Sequence, residues 1–127
     1  MKKVNISHVN NEHNRWLRGL NFYKTEISIL KSMLTEIAGK NSAEDVMKEV
    51  EHYENQFIIQ TNNIDQLSHD IHVNLSNISR QAQASSAGYI DGELLAEHTT
   101  FGEKYDSQET IITELTHSFR KFAEKWM

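Results

Sequence analysis

Histidine, aspartate and glutamate are the residues of this chain whose spacing could support chemistry. Seven histidines occur among 127 residues, and two of them end Glu-x-x-His sequences, Glu49-x-x-His52 and Glu114-x-x-His117. In ferritin-like di-iron bundles, two such motifs project inward and meet lone glutamates from two further helices. Asp65, His69 and His72 form a second candidate. Their i, i+4, i+7 spacing puts imidazole and carboxylate donors on one helical face, where a hydrated divalent ion could be held. Ser68-His69-Asp70 has the residue types of a hydrolytic triad. Adjacent helical residues point about 100° apart, however, and cannot line up as nucleophile, base and orienter. His13 stands between Val9 and Trp16 at an apolar position, which suits a hydrogen-bonded core histidine or a packing element that responds to pH.

Other chemistries lack their residues. The chain has no cysteine and no proline, which excludes disulfides, thiolate metal sites and cysteine nucleophiles. Gly88 and Gly92 lack the lysine and the preceding strand of a phosphate-binding loop, so no cofactor is expected. A net charge of -5 argues against nucleic acid, which needs a basic footprint. The lysines at the start are not followed by an apolar run of about 7–15 residues, and nothing approaches the roughly 18 apolar residues of a membrane span. These features predict a soluble, cytoplasmic chain without membrane contact.

The elements that must position these residues follow from a seven-residue repeat. Ile6, Val9, His13, Trp16, Leu20, Tyr23, Ile27, Leu30, Leu34 and Ile37 keep an alternating four- and three-residue spacing, the mark of a long coiled-coil-like helix over about 5–38. Gly39 takes the place of a left-handed C-terminal cap. Asn41 or Ser42 can cap a second helix over about 42–83. Its repeat runs Val46, Val50, Tyr53, Phe57, Gln60, Ile64, Leu67, Ile71, Asn74, Ile78 and Gln81. Polar members such as Gln60 and Asn74 fix register at some cost in stability. The short connection predicts an antiparallel hairpin with Lys31 level with Glu49 and Lys24 close to Glu54. A flexible, irregular crossover is expected over about 85–99. Thr100-Phe101-Gly102-Glu103 then reads as a capping box opening a third helix over about 100–126, whose repeat is Phe101, Tyr105, Gln108, Ile112, Leu115, Phe119, Phe122 and Trp126.

The repeat places both Glu-x-x-His histidines away from the seam, and no carboxylate occupies a seam position. That disfavours a buried di-iron centre. Asp65, His69 and His72 fall on an outer face with no second set of residues to orient the rings, so they are weak candidates only. The aromatic residues read as core rather than as a cofactor pocket.

The expected fold is therefore all-α: one domain over 1–127, with three long helices in an antiparallel, left-handed, coiled-coil-like bundle. It resembles spectrin-like and other antiparallel helical bundles in architecture, which does not fix function. At 1.5 Å per residue the helices would measure roughly 50, 60 and 40 Å. The third is then too short to cover the hairpin tip, leaving Ile27, Leu30, Leu34, Ile37, Val46 and Val50 uncovered. A second apolar stripe joins Phe22, Ile29 and Met33 to Ile58 and Ile59. Such a stripe suits either a wide core face or a subunit interface. The residues together predict a non-enzymatic protein-interaction or scaffold module acting as a homodimer through the hairpin. A metal-binding helical bundle is the alternative. Charge adds a third option. Residues 1–40 carry +4 while 41–84 carry -5 and 85–127 carry -4, so the acidic surface could dock a basic protein.

Overall fold

The first heptad run folds as one uninterrupted helix, α1 (Ile6–Lys40), in the computed structural model of the chain, which describes residues 2–3, 5–84 and 89–127. Asn5 caps it, its side-chain oxygen accepting from the His8 amide at 3.3 Å. Gly39 does not form a left-handed cap: it lies inside the helix, and Asn41 in extended backbone ends it. The Asn41 amide nitrogen donates to the Ile37 carbonyl at 2.9 Å and so satisfies one of the last free carbonyls. A three-residue turn leads to α2 (Glu44–Ala84), again a single unbroken helix. With no proline in the chain, nothing interrupts either hydrogen-bond ladder.

The third helix, α3 (Gly92–Trp126), starts about two turns before the expected position. Asp91 is its cap, its carboxylate accepting from the Glu93 amide at 2.8 Å. Thr100 is inside the helix, where its hydroxyl donates back to the Ala96 carbonyl at 3.0 Å. The expected irregular crossover therefore shrinks to the residues before Gly92, of which 85–88 lie outside the described residues. Just before α3, the two-residue strand β2 (Tyr89–Ile90) pairs antiparallel with β1 (Lys2–Lys3), Lys2 opposite Ile90. This bridge holds Ile90, fully buried, against Val9 and Ile78 and closes the open end of the bundle.

The early start of α3 decides what is covered. At 35 residues it matches α1 in length, about 50 Å, and runs from the open end to the hairpin tip. There the Asn41 side chain also donates to the Trp126 carbonyl at 3.2 Å. Ile27, Leu30, Leu34, Ile37, Val46 and Val50 are all buried in the main core, which overturns the expectation of an exposed hairpin seam. Burial of each contributes about 1.5–3 kcal/mol. The course is up-down-up: α1 and α3 run parallel, and α2 runs against both.

The second stripe also resolves differently. Phe22 and Ile29 remain exposed, as do Ile58 and Ile59, and Met33 is half-buried. They do not form one surface. Ile58 is seven residues from Asp65, on the flank of α2 that faces α1, whereas Ile59 is seven from Gln66, which lines the groove to α3. The hairpin register also shifts, by more than a turn centred on Ser42 alone would give, with His13 level with Asn74. Lys24 bonds Asp65 at 2.7 Å rather than approaching Glu54, and no ion pair joins Lys31 to Glu49 among the described residues.

Candidate functional site

The residues singled out for metal chemistry do not converge. Asp65 is engaged by Lys24, and His69 and His72 are exposed on α2. Glu49, Glu114 and His117 do line one open groove between α2 and α3, beside Lys121 and Lys125, while His52 stays outside it. Among the described residues no three histidine, aspartate or glutamate side chains are placed to hold a metal ion. Nor is any helix of the described residues long and apolar enough to cross a membrane.

The densest buried polar cluster lies at the open end and joins all three helices. His13 is fully buried on α1. Its Nδ1 faces the Val9 carbonyl at 2.9 Å and its Nε2 faces Asn74 Oδ1 at 3.0 Å. The amide of Asn74 is oriented by its own donations, to the Leu94 carbonyl at 3.2 Å and to Glu97 at 3.1 Å. Both ring nitrogens of His13 thus face acceptors, an arrangement that favours a proton on each. Burial works the other way and prevails, holding the His13 pKa below its ordinary value. The two bonds and Glu12 offset part of that shift, and the neighbouring His98 adds to it.

His98 on α3 packs beside both His13 and Trp16, with tilted rings whose centroids lie 4.7 and 5.0 Å away. Its Nε2 and the Nε2 of the exposed His8 each lie 3.0 Å from the same Glu12 oxygen. Its Nδ1 is buried without a partner among the described residues. With Nε2–H donating to Glu12, that atom is a bare acceptor. The cluster contains no nucleophile beside a base, and its hydrogen bonds tie the three helices together at the open end. Sequence reasoning found His13 from its seam position but missed Glu12 and His98. Glu12 flanks the seam, and His98 fell in the supposed crossover.

One layer further along, Tyr23 of α1 and Tyr105 of α3 share Glu109, donating to the same carboxylate oxygen at 2.8 and 3.3 Å. Burial first, then the bond to Glu109, raises the Tyr23 pKa far beyond its ordinary range. Burial and the same carboxylate raise that of Tyr105. Two glycines accommodate this parallel contact. A methyl group on Gly19 would land on the Tyr105 hydroxyl, and one on Gly102 would come within 2.9 Å of Trp16 Cζ2. The two helices exchange ring for notch in both directions.

The outer face of α1 has a different character. Phe22 is 61% exposed and Ile29 57%, the highest values among the large apolar side chains of the described residues. They recur seven residues apart, with exposed Arg15 one repeat before and exposed Glu36 one repeat after. Comparison of the chain with protein-family models, curated proteins and solved structures finds no match. The functional reading therefore rests on these residues alone.

Proposed function

We propose that this chain is a non-enzymatic protein-interaction or scaffold module whose docking face is the outer surface of α1. The observation that carries the reading is the pair Phe22 and Ile29, held in water on a rigid helix whose own seam is already satisfied by the other two. Leaving each exposed forgoes about 1.5–3 kcal/mol that a partner would recover. Arg15 and Arg18 frame the pair with positive charge, and Glu36 follows it, so the face has an apolar centre and charged ends.

Photo-crosslinking in cells tests this. A benzophenone side chain at position 22 or 29 should form covalent protein adducts. The same group at exposed Asn55 or Gln66 of α2 should form few. Adducts from α2 and none from α1 would overturn the reading.

A further inference from the structure

We infer that the partner of this face is a second copy of the same chain, bound through α1 in antiparallel, two-fold symmetric contact; this inference rests on the interaction-module reading above. The argument is self-complementarity. Every seventh residue along the outer face of α1 reads His8, Arg15, Phe22, Ile29, Glu36, and all five are exposed. The last four members are self-complementary: a cation and an anion stand at equal distances on either side of the apolar pair. A two-fold axis perpendicular to the helix midway between Phe22 and Ile29 sets Phe22 against Ile29 of the second copy. The same operation sets Arg15 against its Glu36, twice over. In a two-fold contact each pairing is made twice, so one matched pair of charges counts double.

The row that flanks this face toward α3 obeys the same operation with one exception. Glu12 falls within one residue of level with Lys40 of the second copy, while Gly19, whose notch Tyr105 of the same chain already fills, adds nothing. The exception is Glu26, which meets the Glu26 of the second copy beside the axis. Like charges there weaken the contact, and their removal should strengthen it. The Arg15–Glu36 match draws on exposed side chains, and it competes with the exposed Lys40–Glu36 contact, 3.3 Å long, and with the Arg15 guanidinium 6.0 Å from the Tyr105 ring centroid, both weak. A parallel arrangement would instead stack Arg15 on Arg15 and Glu36 on Glu36. Charge thus selects the antiparallel one.

Contact through one helix per subunit buries under about 1,200 Å², the low end of specific interfaces, so a dimer in the micromolar to millimolar range is expected. Sedimentation equilibrium over a concentration series reaching about millimolar, on the full chain, measures it. Phe22→Glu should weaken dimerisation by about tenfold or more. Arg15→Glu and Glu36→Arg should each weaken it, the two together should restore it, and Glu26→Gln should tighten it. All these positions are exposed or half-buried, and unchanged far-ultraviolet circular dichroism of each variant confirms the fold. A wild-type chain that stays monomeric throughout overturns the inference. So does a dimer indifferent to Phe22→Glu, or a charge swap no better than its single substitutions. Cross-links at position 22 to a protein other than this chain, with a monomer in the centrifuge, would overturn the second-copy inference while leaving the interaction-module reading in place.

Discussion

At the scale of single residues, the buried imidazole of His13 has the clearest measurable consequence. Its pKa is lowered by burial, so the folded state holds fewer protons on this group than the unfolded state does below pH 6.5. The stability it contributes is complete above that pH. It declines as pH falls from 6.5 to the lowered folded value and is then level. The groups facing it are Asn74 of α2, His98 of α3 and Glu12 of its own helix, with Glu97 of α3 beyond the Asn74 amide. Thermal melts between pH 7.5 and 5 should show this decline. His13→Gln, neutral throughout, should flatten it, and an unchanged slope in that variant would show that other groups carry the pH response. The seam position of His13 was legible because heptad phase is a local property. Its partners were not. Asn74 keeps the seam phase of its own helix, but nothing local pairs it with His13, 61 residues away, and His98, further still, lay in the expected crossover.

At the scale of elements, α1 and α3 are fitted to one another by two glycines. In sequence Gly19 reads only as a helix penalty of about 1 kcal/mol, and Gly102 as part of a capping box. Their purpose becomes visible only once Tyr105 and Trp16 lie across them on the neighbouring helix. Gly19→Ala and Gly102→Ala each gain helix propensity but force a packed ring to move, a cost of about 1–3 kcal/mol. We expect net destabilisation of about 1–2 kcal/mol for each in urea unfolding, with an unchanged denaturant slope. An increase in stability for both would mean that the rings swing aside freely. The helix α3 itself was legible only from Phe101 onward. Leu94 and His98 continue the same four- and three-residue spacing back from Phe101, but the polar residues around them, Glu97, Thr99 and Thr100, hide it in sequence, and Leu94 and Leu95 pack partly in the small cluster at the open end.

For the whole molecule, register is held by polar layers inside an otherwise apolar seam. Gln108 donates to Gln60 at 2.6 Å between α2 and α3, with both side chains buried. Gln60→Leu alone leaves Gln108 unsatisfied and should lower stability by about 1–3 kcal/mol. Substituting leucine at both should recover the loss and exceed wild-type stability, while relaxing the sliding register of the helices. Chemical denaturation of the three variants checks this order, and a double variant weaker than the single would refute it. The three helices and most core residues were legible because heptad pattern survives without knowledge of partners. The coverage of the hairpin tip was not, since it turned on where α3 begins. That number of helices, being odd, has a mechanical corollary. The two ends of the bundle's chain emerge at opposite poles, about 50 Å apart. Anything joined to one pole is held a fixed stride from anything joined to the other, and stitching the ends together to reopen the chain elsewhere would take a tether of about fifteen extended residues.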